Sequence, residues 1–169
     1  MIYLEIGGTG FRFDPAAVSA VRYRARYGES PVAALARCRD GREEERLLLR
    51  ICHMMLHPAV RPELPEFARL CRRDGAFVRK GRQAVGALLA AERRMPQGEN
   101  VPAKEVDEYE LLALMAAARV DMGLIYELPL FHLVSVVNRL GALLDPDRKE
   151  YRPMTREERA ALYPRNRKG

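Results

Sequence analysis

The stretch LLALMAAARVDMGLIYELPLFHLVSVVNRLGALL, residues 111–144, decides the fold of this chain. Val120-Asp121 and Leu128-Pro129 divide it into three apolar pieces. Because proline lacks an amide hydrogen and suits the first turn of a helix, Pro129 ends one piece and starts the next. The first piece, 111–118, is apolar on nearly all sides, as in a helix surrounded by other helices. The last piece has the apolar spacing of one helix face, carried by Leu130, Leu133, Val134, Val137, Leu140 and Leu144.

Charged residues interrupt this stretch too often for a membrane span. Its longest uncharged run is 128–138, whereas a spanning helix needs about 20 apolar residues. The first residues also lack the basic and then apolar pattern of a secretion leader. We therefore expect a protein of the bacterial cytoplasm that does not enter a membrane.

The remaining segments predict more helices, preceded by a β-hairpin. Residues 2–6 and 11–13 alternate apolar and polar side chains around a glycine-rich turn, which predicts the hairpin. Helix start and stop residues predict further helices over about 16–27, 31–39, 43–57, 66–73, 76–94 and 156–162. The sequence thus predicts a mainly α protein with a short N-terminal β-hairpin, an α+β chain arranged like a helical bundle.

A change of composition near residue 95 predicts how this chain is organised. Residues 95–102 (MPQGENVP) are the best linker candidate. They separate an N-terminal hairpin and helical region, 1–95, from a C-terminal helical region, 103–163, and we expect both to pack as one domain. A flexible basic tail, 164–169, follows. The charge changes at the same place: residues 1–95 hold 18 Lys and Arg against 11 Asp and Glu, and residues 96–169 hold 11 against 12.

Residues that could carry catalysis or bind a metal lack the partners that such chemistry requires. His53 and His57 are four apart on a predicted helix, but Met54 stands where a metalloprotease helix has glutamate, so a partly exposed pair near a helix end is favoured. Cys71 lies beside two arginines, which could lower its pKa, yet a buried core cysteine is favoured because no histidine is paired with it. With Cys38 and Cys52 it makes an odd number without CxxC spacing, which predicts reduced, mostly buried thiols. The sequence therefore predicts no catalytic residue, metal site or cofactor.

The arginines of residues 61–94 make this the most basic part of the chain, with nine basic against four acidic residues. Such a bias either marks an anionic partner or is the ordinary charge of solvated helix faces, and the second interpretation is favoured. Aromatic residues do not alternate with the arginines, as they do in proteins that bind single-stranded nucleic acid. The candidate anion-binding residues are Arg72, Arg73, Arg79, Lys80 and Arg82.

Several motifs occur in an order that is typical of one protein family. A hairpin ends in Phe11-Arg12-Phe13, a helix over 17–27 closes on Gly28-Glu29-Ser30, and a helix with an apolar end, 47–58, runs up to a proline. In these features the N-terminal half resembles the tail assembly chaperones of long-tailed bacteriophages and prophages, in particular those of Gram-positive hosts. Residues 107–140, with an acidic helix start and a Leu-Pro-Leu hinge, are similar in style to phage tail proteins encoded nearby.

This resemblance implies a small, mostly helical cytosolic protein without catalysis. Such a protein binds the long tape-measure protein, keeps its apolar helices from aggregating and hands it over as tail subunits polymerise. Recognition would place the apolar face of one helix in a groove of the partner, where methionine adapts to varied surfaces, and a homo-oligomer is expected. The candidate partner-binding residues, each of which could equally be plain core, are Met54, Met55, Met115, Met122, Leu130 and Phe131.

A competing hypothesis assigns the chain to another class of protein. A basic helical nucleic-acid-binding or regulatory module would place residues 61–94 and the basic tail on phosphates. Its binding would weaken steeply as salt is added, because phosphate contacts release counterions. An enzyme of unrecognised type has less support, since no catalytic pattern is found.

Overall fold

The computed structural model describes residues 1–89, 103–145, 147, 151–154 and 156–162. Most of these residues are helical, and the N-terminal hairpin is present, which confirms the mainly α, α+β class. In chain order the elements are β1 (Ile2–Ile6), β2 (Thr9–Phe13), α1 (Val18–Tyr27), α2 (Pro31–Arg37), α3 (Gly41–Met55), a 3-10 turn (Pro58–Val60), α4 (Leu64–Arg73), α5 (Phe77–Leu89), β3 (Ala103–Lys104), α6 (Glu108–Ala117), α7 (Leu124–Glu127), α8 (Leu130–Leu144), β4 (Arg152–Pro153) and α9 (Arg156–Leu162).

The N-terminal hairpin packs closely on α4. β1 and β2 are antiparallel, with Ile2 opposite Phe13 and Ile6 opposite Thr9. Gly7 turns the chain with a φ of 57°, and a Cβ there would lie 2.7 Å from the Leu70 carbonyl oxygen. Only glycine therefore allows both the turn and the close approach.

Several helix ends differ by about two residues from the sequence prediction, and two of these differences have a clear local cause. α1 begins at Val18 rather than near residue 16, because the Asp14 carboxylate accepts a hydrogen bond from the Ala16 amide and forms a turn first. α3 ends at Met55 rather than at residue 57, because Leu56 is extended and pairs with Phe13 of β2. The predicted end of α5, the linker 95–102 and the tail 164–169 lie outside the described residues.

The first of the two larger core clusters, the hairpin core, packs the hairpin against α3, α4 and α5. Its buried members are Ile6, Phe11, Phe13, Tyr23, Leu48, Ile51, Cys52, Met54, Met55, Leu56, Phe67, Cys71, Phe77, Ala84, Val85 and Leu88. Tyr23 belongs to α1, so this helix covers one side of the cluster.

The second cluster, the hinge core, packs the C-terminal helices against α1 and α2. Its buried members are Ala16, Ala17, Val18, Ala20, Val32, Val106, Leu111, Met115, Ile125, Leu130, Phe131, Leu133 and Val137. The Ala17 amide donates to the carbonyl oxygen of Leu128 at 2.8 Å, which fixes the predicted Leu-Pro-Leu hinge to the start of α1. α1 thus contributes to both clusters.

A small parallel sheet was not predicted from the sequence. β3 pairs with β4 over two residues on each strand, within the region 103–163 that we expected to be helical. Two residues give too little alternation for a sequence pattern to register. None of the described helices is long and apolar enough to cross a membrane.

Candidate functional site

The predicted partner-binding residues lie mainly inside the protein. Five of the six are no more than 5% exposed: Met54, Met55, Met115, Leu130 and Phe131. Met54 and Met55 belong to the hairpin core, and the other three belong to the hinge core. All five therefore occupy core positions in this conformation, although Met54 also reaches the wall of the cleft described below, and a role in partner binding stays a prediction. Met122 alone among the six is exposed, at 43%.

The predicted anion-binding residues divide into two groups. Lys80 donates from Nζ to the Glu5 carbonyl oxygen at 2.6 Å and to the Asp74 carboxylate at 2.7 Å, so it joins α5 to the hairpin. Arg82 makes two hydrogen bonds of 2.7 Å with Glu44 and joins α5 to α3. Lys80 and Arg82 are therefore already paired with carboxylates of the same protein, which corrects their assignment as residues available to an external anion. The others are exposed: Arg72, Arg73 and Arg79.

A different set of arginines lines a cleft of about 600 Å³ between α1, the end of α3 and the segment that leads into α4. We call this the basic cleft. Its walls consist of Arg22, Ala25, Arg26, Tyr27, His53, Met54, Pro58, Arg61, Pro62, Glu63 and Leu64. Three arginines and one carboxylate therefore line this space.

The arginines of the basic cleft are not neutralised by carboxylates. Arg22, Arg26 and Arg61 form no ion pair with any described residue. Arg61 makes one weak contact, from Nη1 to the Met54 sulfur at 3.7 Å. Arg22 and Arg61 are half-buried, whereas Arg26 is exposed. Sequence reasoning missed this set because α1 and residue 61 are distant in the chain and meet only in the folded protein.

His53 is buried in the wall of the basic cleft, at 7% exposure. Its Nε2 lies 2.8 Å from the Pro62 carbonyl oxygen and must donate, because a carbonyl only accepts. Burial lowers the pKa of His53, which keeps the ring neutral at pH 7. The Nδ1 atom is then a buried acceptor without a hydrogen-bond partner. His57 is exposed on the 3-10 turn, where its Nδ1 accepts from the Ala59 amide, so the predicted partly exposed pair is corrected to one buried and one exposed histidine.

The cysteines are free and buried, which confirms that prediction. Burial raises the pKa of Cys71 to about 12, and the nearby Asp74 carboxylate adds to the shift. Cys71 is therefore not the activated thiol that two adjacent arginines would create. Within the described ranges, His, Cys, Asp and Glu side chains form no group of three that could hold a metal ion.

A buried polar network joins α1 and the start of α2 to α6. Glu108 has no solvent exposure, and its carboxylate accepts from the Ser30 hydroxyl at 2.7 Å and from Arg24 Nη1 at 3.3 Å. Arg24 also pairs with Asp107 at 2.9 Å and lies over the Tyr109 ring. Burial raises the pKa of Glu108 although Ser30 and Arg24 lower it. Every polar contact here is internal, so the network positions helices and is not a binding site.

The C-terminal end of α8 exposes apolar side chains to solvent. Leu140, Leu143 and Leu144 are 36%, 75% and 66% exposed, in contrast to the buried residues in the first half of the same helix. Their spacing of i, i+3 and i+4 places them on one side of α8. We call these three residues the leucine edge. The sequence spacing assigned Leu140 and Leu144 to the buried face, which instead reaches no further than Gly141.

Comparisons of the chain with protein family models, with curated proteins and with solved structures found no match. The resemblance to tail assembly chaperones therefore stays a prediction. The structure itself defines a mainly α protein with a basic cleft on one core cluster and an exposed leucine edge on the other.

Proposed function

We propose that this protein is a non-catalytic assembly chaperone of a phage or prophage tail, which binds the tape-measure protein in the bacterial cytoplasm during tail morphogenesis. The observation that carries the proposal is the leucine edge. Apolar side chains at i, i+3 and i+4 on an exposed helix end are the anchors that helix-in-groove recognition uses. The client would therefore contact the end of α8, and Met115 of the hinge core would support that helix from within.

The size of the leucine edge is appropriate for a partner that must later be released. Burying a leucine side chain contributes about 1.5 to 3 kcal/mol, and association costs at least about 4 kcal/mol of lost translational and rotational freedom. Three leucines thus leave a modest net affinity unless further contacts are made. A second copy of this chain could cover the same leucines, so homo-oligomer formation and client binding would compete.

Co-expression with the tape-measure protein of the same genome tests this proposal. The wild-type chain should keep the tape-measure protein soluble and elute with it from a sizing column. The variant Leu143→Glu/Leu144→Glu should lose both effects, because two buried charges would replace two apolar anchors. Val60→Glu is a matched control, since Val60 is 71% exposed on the 3-10 turn and lies outside the leucine edge.

Three results would contradict the proposal. The tape-measure protein could aggregate equally with and without the wild-type chain, or the leucine variant could bind as well as wild type. Alternatively, the wild-type chain could bind duplex DNA tightly, with a steep loss of affinity in salt. That last result would favour the basic nucleic-acid-binding module instead.

A further inference from the structure

We propose that the basic cleft binds a phosphate group, either as the free anion or as part of a small organic ester. This site is separate from the leucine edge and does not depend on the proposed chaperone function. It is defined by Arg22, Arg26 and Arg61, with His53 in its wall.

The charge of the basic cleft comes from two opposite walls. Arg22 and Arg26 are one turn apart on α1, so their side chains leave the same face of that helix. Arg61 follows the 3-10 turn and supplies a third guanidinium. Guanidinium groups match the oxygens of phosphate in a bidentate manner and stay charged at every relevant pH. Glu63 is the one carboxylate of the lining and is itself exposed, so the lining retains a net positive charge.

His53 adds a neutral ring to the wall of the basic cleft. Its Nε2–H is committed to the Pro62 carbonyl oxygen and its Nδ1 atom is buried, so neither nitrogen is open to an anion in the cleft. The charged groups that act on this ring are Arg61 and Glu63 from the connecting segment and Arg26 from α1. Binding of the anion therefore rests on the arginines.

The aromatic rings of the basic cleft are already packed, which disfavours a nucleobase. The Tyr27 ring lies 4.7 Å from the Tyr23 ring and 5.2 Å from the Arg50 guanidinium. The His53 ring lies 5.6 Å from the Phe67 ring. Single-stranded nucleic acid needs open aromatic faces for stacking. A volume of about 600 Å³ instead matches a small-molecule site.

Calorimetric titration of the full chain with inorganic phosphate, sulfate and phosphoserine tests this inference. We expect phosphate and sulfate, which share a tetrahedral shape, to bind with dissociation constants below about 1 mM. The variant Arg26→Gln/Arg61→Gln should weaken phosphate binding at least about tenfold, because charge-assisted hydrogen bonds are lost. The matched control Arg72→Gln/Arg73→Gln removes the same charge from exposed positions on α4 and should leave the affinity within about twofold.

The titration also separates the two sources of phosphate. Tighter binding of phosphoserine than of inorganic phosphate would assign the site to a small phosphate ester, and the reverse order would assign it to the free anion. The inference is overturned if phosphate does not bind or if both arginine variants weaken binding equally. Thermal unfolding of each variant establishes that it is folded, and Arg61→Gln alone replaces the double variant if that one is not.

Discussion

The hairpin core and the hinge core use different side chains, and they leave different surfaces behind. In the hairpin core Phe11 packs edge-on against Phe67 at 5.4 Å between ring centroids, and large rings fill the space between strands and helices. The hinge core has Ala16, Ala17 and Ala20 where α1 meets the C-terminal helices, and Phe131 is its one buried aromatic residue. Small side chains let helices approach closely. The contact between these alanines and the C-terminal helices is short, however, and α8 extends beyond it. The comparison indicates that one cluster is closed by its own elements, whereas the other is open at the leucine edge.

The largest effect that we expect from a single substitution is in the hairpin core. Phe67→Ala should lower the free energy of unfolding by about 3 to 5 kcal/mol, because Phe67 is fully buried and its removal leaves a cavity. Tyr3→Ala is the control, since Tyr3 is 73% exposed in the hairpin, and should change it by less than about 0.5 kcal/mol. Urea unfolding followed by circular dichroism measures both. A loss below about 1 kcal/mol for Phe67→Ala would show that the hairpin core repacks around the substitution. It would then contradict the view that this cluster is the more closely packed of the two.

Two leucines of one helix sharpen the contrast between the closed and open parts of the hinge core. Leu133→Ala should cost about 2 to 5 kcal/mol, because Leu133 is fully buried on α8. Leu143→Ala, ten residues further along α8, should cost less than about 0.5 kcal/mol, because Leu143 is 75% exposed. The two variants can be compared by thermal and urea unfolding at one protein concentration. Equal losses would mean that the leucine edge is already covered in solution.

The buried network between α1 and α6 should have an intermediate effect. Glu108→Ala leaves the Ser30 hydroxyl without its acceptor and Arg24 with Asp107 alone, and it should cost about 1.5 to 3 kcal/mol. Glu110→Ala on the same helix removes an exposed pair with Lys104 and should cost less than about 1 kcal/mol. Unfolding by urea distinguishes them. Similar small losses would indicate that the hinge core does not depend on this network.

The smallest effect is a dependence of stability on pH. Burial raises the pKa of Glu108 in the folded chain, so the folded state binds a proton at a higher pH than the unfolded state does. The contribution of Glu108 to the free energy of unfolding therefore increases as the pH falls from the raised pKa toward the ordinary value of 4.5. Asp74 and Asp107 have lowered pKa values, so their stabilising contributions are lost only below about 3.8 and do not mask this change. Glu108→Gln cannot titrate, and the stability of wild type relative to this variant should therefore increase from about pH 7 to about pH 4.5. If the difference in free energy of unfolding between the two proteins stayed constant over this range, titration of Glu108 would not be the cause.

The sequence predicted the helices better than it predicted the surfaces. The three pieces of residues 111–144 correspond to α6, α7 and α8, because proline and helical spacing act locally. Met54 and Phe131 were assigned to a partner groove, yet both are buried. An apolar residue at helical spacing gives the same pattern whether it faces a core or a partner, so periodicity could not separate the two.

The basic cleft could not be predicted for a different reason. Arg22 and Arg26 lie on α1, whereas Arg61 follows α3, and no local pattern connects them. Arg82 and Lys80 looked equally free in the sequence but are paired with Glu44 and Asp74 across helices. Which cations are neutralised is decided by tertiary contacts, and a single sequence does not contain that information in readable form.

The hydrogen bond between the Ala17 amide and the Leu128 carbonyl oxygen affects how the chain folds as it leaves the ribosome. The hairpin core is complete once Leu88 has been made, but the alanine side of α1 stays uncovered until the hinge at Leu128 has been synthesised. Leu128 lies 40 residues after Leu88, so at about 5 to 20 residues per second this interval is roughly 2 to 8 seconds. During this interval α1 can pack on the hairpin core through Tyr23 while its alanine side stays exposed, so an interrupted translation product would present this apolar surface to other chains.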